Sequence, residues 1–128
     1  INFKINVLSR IKILQILSKV NNLKYINKIV DSSSDAGRVK LNDQGNAYIY
    51  RITNSSLNSI SKNLSIDLNK RYNSEIITVD PGNVQTGMNT KGLLDSSKCA
   101  EYIIDIISDK KNNLNGKFID LFKKEISW

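Results

Sequence analysis

Apolar residues in the opening stretch fall at Phe3, Val7, Ile11, Leu14 and Leu17, and this three-and-four spacing predicts a helix. Ile13, Ile16 and Val20 widen the apolar face, so the helix is expected to be buried on more than one side. Asn21-Asn22 marks its end. Lys28-Ile29-Val30-Asp31 is a short β-branched run that feeds Ser32-Ser33-Ser34, the pattern of a strand entering a small-residue turn. Asp35 to Gly45 is polar with two glycines and reads as a loop. From about Tyr48 a long helix follows, marked by Leu57, Ile60, Leu64 and Leu68 and ending near Arg71-Tyr72-Asn73. Glu75 to Val79 (EIITV) is the cleanest strand, and Asp80-Pro81-Gly82 stops it. Ala100, Ile103, Ile104 and Ile107 mark a further helix, Asn112 to Gly116 a turn, and Lys117 to Phe122 a last strand.

The expected order is α-β-α-β-α-β. Such alternation implies βαβ units and a parallel sheet with helices on both faces. In sheets of this kind ligands bind beyond the carboxyl ends of the strands, which points to Ser32–Ser34 and to Pro81–Met88. A sheet of three strands is thin, and its first strand would have an open edge. That edge suggests that more strands precede it. No internal repeat and no domain linker stands out.

Composition narrows the chemistry. The 128 residues suit one small domain. Cys99 is the sole cysteine, so no intrachain disulfide can form, and with no export signal a reducing cytoplasm is the expected setting. Histidine is absent, which removes Ser-His-Asp and Cys-His catalysis and most zinc or iron sites; no metal is expected. The formal charge of +7 would suit a nucleic-acid surface. The lysines, however, are scattered among many Asn and Ile residues, as AT-rich coding would produce. Neither nucleic acid nor membrane is therefore an expected partner. No segment approaches the roughly 18 consecutive apolar residues of a membrane span. The first residue is Ile1 rather than methionine, which fits a chain that continues upstream.

Several motifs carry a resemblance. Ile5-Asn6-Val7 lies in the first helix, and a strand ends in consecutive serines. Tyr48-Ile49-Tyr50-Arg51 is followed by Ser56-Leu57-Asn58, and a strand runs into Pro81-Gly82-Asn83-Val84-Gln85-Thr86. The sequence closes with Gly116-Lys117-Phe118-Ile119-Asp120 and Trp128. Together these resemble the short-chain dehydrogenases/reductases, in particular the sniffer and C-signal type of carbonyl reductase. The resemblance runs over residues 1–128 but covers only the second, catalytic half of the family's domain. No G-x-G-x-x-G turn occurs in these residues. The implied fold is a Rossmann-like α/β domain lacking its N-terminal dinucleotide-binding half.

The resemblance also implies roles. Tyr50 matches the tyrosine whose hydroxyl gives a proton to the carbonyl oxygen as hydride arrives from NAD or NADP. A free tyrosine has a pKa near about 10, and a nearby cation lowers it by roughly one to three units. The family places a lysine four residues on, one helical turn away. Here that residue is Asn54, which is neutral and short, so turnover is expected to be impaired. Ser34 matches the serine that orients the substrate carbonyl; with Ser32 and Ser33 beside it, the register could slip by one. Asn6 matches the asparagine that holds a water in the proton relay behind the lysine. Pro81, Gly82, Val84 and Thr86 match the loop over the nicotinamide, with the Val84 backbone and the Thr86 hydroxyl as its polar contacts. A small carbonyl or alcohol substrate and a homodimer through the two long helices are implied as well. Asn54 equally suits a non-catalytic relative that acts as a partner or regulator.

Overall fold

The computed structural model describes Phe3–Trp128. The elements follow the expected order: a π-helical turn, Lys4–Leu8, continues into helix α1, Ser9–Lys19; then come strand β1, Lys28–Ser32, helix α2, Tyr48–Tyr72, strand β2, Glu75–Asp80, helix α3, Ser96–Ser108, and strand β3, Phe118–Asp120. The strands form one parallel sheet in the order β1-β2-β3.

Alternation along β2 builds a layer on each face, because successive strand side chains point to opposite sides. Ile77 and Val79 pack with Cys99 and Ile106 of α3 and with Ile119 of β3. Ile76 packs on the other face with Leu14 of α1 and Leu68 of α2. The helix ends follow local rules. Asp95 caps α3, its carboxylate accepting from the amides of Ser97 (2.9 Å) and Lys98 (3.2 Å), as N-terminal N–H groups require. Asn73 closes α2 in the left-handed region. The start of α2 is abrupt: Gly45, Asn46 and Ala47 all have positive φ, no side chain caps the helix, and Arg51 Nε ties the turn down by donating to the Gly45 carbonyl at 3.0 Å.

Two expectations need correction. The last strand is shorter than Lys117–Phe122. The Asp120 carboxylate accepts from the amides of Phe122 and Lys124, both at 2.9 Å, and Lys123 adopts a positive φ, so the chain turns back after Asp120 and lies antiparallel against β3, where Glu125 bridges Ile119, instead of extending the strand. The first helix is not buried on several sides. Val7 and Leu14 are buried, whereas Ile5, Leu8, Ile13, Ile16 and Val20 are exposed, because only one stripe of the helix meets the sheet and α2.

A charged pair ties α1 to the sheet. Arg10 forms an ion pair with Asp31 of β1, a residue only 3% exposed, and Ser61 of α2 donates to the other carboxylate oxygen at 2.5 Å. Burial pushes the Asp31 carboxyl above its ordinary range, although Arg10 and Ser61 pull the other way.

Candidate active site

Helix α2 packs across the end of β1 because the turn after the strand carries a glycine. A Cβ on Gly37 would lie 2.7 Å from Asn58 Nδ2 and 3.0 Å from the Asn54 carbonyl carbon, so a larger residue would push the turn off the helix. This close approach brings β1, α1 and α2 together around a cavity of about 440 Å³, with Asn6, Ser9 and Arg10 on one side, Ser32 and Ser33 at the strand end, and Tyr50 and Asn54 on α2. Asn6 lies in the π-helical turn, a departure from regular helix that recurs at functional sites.

Three of the four expected catalytic residues, Asn6, Tyr50 and Asn54, line this cavity. Ser34 does not. Its oxygen accepts from the Ala36 amide at 3.1 Å and its hydroxyl donates to Asp35 Oδ1 at 3.0 Å, so it caps the 3-10 turn Asp35–Gly37. Ser33 faces inward, and its hydroxyl donates to Asn58 Oδ1 at 2.6 Å. Tyr50 is about half exposed. Asn54 is buried, and its amide donates to the Tyr50 carbonyl oxygen at 2.9 Å.

The loop after β2 forms a separate unit. Gly82 has a positive φ, and its amide donates to Asp80 Oδ1 at 2.9 Å. Burial, with a smaller push from Asp35, raises the Asp80 carboxyl above its ordinary range. The Val84 amide donates to the Gly82 carbonyl at 3.1 Å, and the Val84 carbonyl accepts from Asn89 Nδ2 at 3.0 Å. Thr86 Oγ1 accepts from the Asn89 amide at 3.1 Å. Asn89 therefore engages the polar groups of the loop from within. Pro81 and Gly82 line a second cavity, of about 340 Å³, with Asn83, Leu93, Asp120 and Phe122; none of the four loop residues lines the Tyr50 cavity.

Sequence reasoning missed Gly37, Asn89, Gly92 and the Arg10–Asp31 pair. The glycine three residues after Ser34 was a readable signal for Gly37. Gly92 lies against the backbone of Val84 and Gln85, where a Cβ would come within 2.4 Å of three atoms. Nothing local announces a contact between Arg10 and Asp31. Among the described residues no group of three His, Cys, Asp or Glu side chains could hold a metal.

For a nicotinamide the available groups are the Tyr50 hydroxyl in its cavity and the Thr86 hydroxyl hydrogen on the loop. Asn54 spends an amide hydrogen on its own helix, and the Val84 backbone is engaged by Asn89 and Gly82. The residues thus fit the nicotinamide end of a dinucleotide in part. The glycine-rich turn that would take the diphosphate does not occur in residues 1–128.

No family model and no curated protein matches the chain. Solved structures do. The carbonyl reductase Sniffer of D. melanogaster superimposes with a TM-score of 0.72 at 30% identity, over 79% of this chain and 41% of that one. An NADPH-bound carbonyl reductase from chicken fatty liver matches with a TM-score of 0.77 at 20% identity, over 98% of this chain and 55% of that one. A carbonyl reductase from Pseudomonas aeruginosa PAO1 in complex with NADP gives 0.73 at 16% identity, over 98% and 54%. The chain spans about half the length of the structures it matches. The two matches under 25% identity carry the fold alone; the fly protein adds similarity in sequence. The chain therefore shares the Rossmann-like α/β fold of the short-chain dehydrogenases/reductases, and its sequence is similar to that of a sniffer carbonyl reductase within that family.

Proposed function

We propose that residues 1–128 are the C-terminal, catalytic half of a short-chain dehydrogenase/reductase domain, and that the complete domain interconverts a small carbonyl compound and its alcohol with NAD or NADP. The observation that carries this reading is the meeting of Asn6, Tyr50 and Asn54 on one cavity at the carboxyl end of β1. The cofactor would supply or take up hydride. Tyr50 Oη holds the proton that the carbonyl oxygen receives, and Asn6 orients a water behind it. Ser34 steadies the carbonyl oxygen once its hydroxyl turns away from Asp35. The loop at Pro81, Gly82, Val84 and Thr86 covers the nicotinamide once Asn89 releases it. Exposed Ile13, Ile16 and Val20 on α1, with Ile49 and Ile52 on α2, support a homodimer through these helices. A reducing, cytoplasmic setting goes with the single free, buried Cys99. Among the described residues no helix is long and apolar enough to cross a membrane.

A second reading rests on the Asn54 hydrogen bond. With no lysine at that position and the amide spent on the Tyr50 carbonyl, the site lacks the cation that stabilises a phenolate, which favours a non-catalytic relative acting through a partner. Joining residues 1–128 to the first half of a sniffer-type relative separates the two. NADPH-dependent reduction of an aromatic aldehyde that Tyr50→Phe removes supports the enzyme. Cofactor binding without turnover supports the non-catalytic relative. A folded chimera that binds no cofactor overturns both.

A further inference from the structure

The turn after β1 and the loop after β2 are each held by bonds of their own, and Asp80 lies where they meet. We propose that Asp80 is a positioning residue whose carboxylate pins the Ser34 turn to the loop Pro81–Thr86, and so fixes the spacing of the carbonyl-binding hydroxyl and the nicotinamide cover. The catalytic part of this inference rests on the function proposed above; the pin itself does not.

Asp80 is the last residue of β2, and its side chain is half-buried. On the loop side its Oδ1 accepts from the Gly82 amide at 2.9 Å. On the other side the backbone amide of Asp35 also stabilises the carboxylate. Asp35 directly follows Ser34 and opens the 3-10 turn that Ser34 caps. A carboxylate has two oxygens with about four acceptor sites between them, so it takes amides from two segments at once, and its charge strengthens both bonds.

The two segments keep their shapes without Asp80. Gly37 seats the turn against α2, and Arg38 anchors it by donating to the Ser127 carbonyl and hydroxyl oxygens, both at 3.0 Å. Asn89 braces the loop from within. What Asp80 sets is their separation. The charges that act on it are Asp35 and Arg38 of the turn. Its register partner on β3 is Asp120, whose Oδ1 is occupied by the amides of Phe122 and Lys124. Burial raises the Asp80 carboxyl above its ordinary range; Asp35 pushes the same way, while the amides and Arg38 pull it down. Protonation removes the charge that strengthens both bonds, so the pin loosens as pH falls through the raised value.

Asp80→Asn separates a pin from a purely local turn. Asparagine closes the turn onto Gly82 as well as aspartate does, but it offers one neutral oxygen in place of two charged ones, too little for both segments. In amide spectra of the 128-residue chain, Asp35 and Gly82 should shift together on acidification, with one midpoint above the ordinary carboxylate range. Asp80→Asn should abolish that shared shift and speed exchange at Asp35 about ten-fold or more, with little change at Gly82; Asp80→Ala should free both. In the chimera with a relative's first half, Asp80→Asn should lower kcat for aldehyde reduction about ten-fold or more and leave KM for NADPH nearly unchanged, because small displacements of a reacting group are costly. Asp80→Ala should also raise that KM. Separate midpoints for the two amides, a shift at Asp35 that survives Asp80→Asn, or unchanged Asp35 exchange in that variant would each overturn the pin. An active chimera whose kcat ignores Asp80→Asn would overturn its role in positioning. A parent chimera without turnover would overturn the catalytic reading itself, while the spectra decide the pin on their own.

Discussion

The Asn54 side chain donates to the carbonyl oxygen of Tyr50, one turn back on the same helix, at 2.9 Å. This back-bonding satisfies a buried amide locally, and it turns the residue at the lysine position toward the backbone rather than toward a cofactor ribose. Replacing it with lysine in the chimera introduces an ammonium group one turn from Tyr50. A cation that close stabilises the phenolate by roughly 1.4–4 kcal/mol, or about ten- to a thousand-fold in rate if proton transfer limits turnover. Alcohol oxidation by the parent should be weak at neutral pH and rise toward alkaline pH. Asn54→Lys should raise the neutral rate, and Tyr50→Phe in that background should remove the gain. A fully active parent that Asn54→Lys leaves unchanged would mean that another group does the work of the lysine.

The Arg10–Asp31 pair makes the second prediction. Asp31 is buried and its carboxyl lies above the ordinary carboxylate range, with burial as the leading cause. A raised acid is one whose protonated form favours the folded state. That contribution is therefore complete below the ordinary carboxylate range and is lost as pH rises through the raised value. Asp31→Asn should then be tolerated at neutral pH and should remove this part of the pH dependence. Arg10→Met leaves a buried carboxylate without its partner and should cost about 3–5 kcal/mol. Urea unfolding of the three proteins between acid and neutral pH measures both effects. Equal loss from both substitutions would mean that the pair acts as an ordinary stabilising bridge.

What was legible in the sequence followed from periodicity. EIITV declared β2 because its residues are buried on both faces, and Leu57, Leu64 and Leu68 declared α2 because one stripe of it meets the sheet. Tyr50, Asn54 and Asn6 were singled out by the resemblance to the family's motifs, and the four-residue spacing of Tyr50 and Asn54 puts them on one face of α2, where they line one cavity with Asn6. Side-chain direction was less legible. Three consecutive serines leave open which one faces the cavity, and the answer depends on the turn that Ser34 caps and on the Ser33 bond to Asn58, twenty-five residues on. The exposure of Ile13 and Ile16 was hidden for a related reason: a wide apolar face signals burial without saying against what.

The two close-packed glycines give a third prediction. At Gly37 and Gly92 no positive φ is involved; the constraint is space. Gly92→Ala would drive a methyl group into the backbone of Val84 and Gln85, so the bridge from Val84 to Leu94 must open. Gly37→Ala meets the Asn58 amide and the Asn54 backbone. Overpacking of this kind typically costs about 1–3 kcal/mol. The distinguishing measurement is amide exchange: Gly92→Ala should raise exchange at Gln85 and leave β1 unaffected, whereas Gly37→Ala should raise it at Ala36–Arg38. Uniform loss of protection in both variants would show that the loop and the turn are not separate units.

Self-association is the last prediction. Ile13, Ile16 and Val20 are each more than half exposed at 55%, 52% and 57%, and Ile49 and Ile52 of α2 at 64% and 54%. If these side chains form one contiguous face, it would favour association. The outer edge of β1, unpaired among the described residues, offers another route to association, through strand addition. The two routes respond differently to charge on α1. Ile16→Glu places a carboxylate on the helix face and leaves β1 untouched, so association through the helices should fall sharply while association through the strand edge should persist. Sedimentation velocity at several concentrations reads this directly. The expected outcome is a concentration-dependent dimer for the parent and a monomer for Ile16→Glu, with helix content unchanged by circular dichroism. A parent that stays monomeric at high concentration would remove the helix-mediated homodimer, and a variant that associates as strongly as the parent would move the interface to the β1 edge.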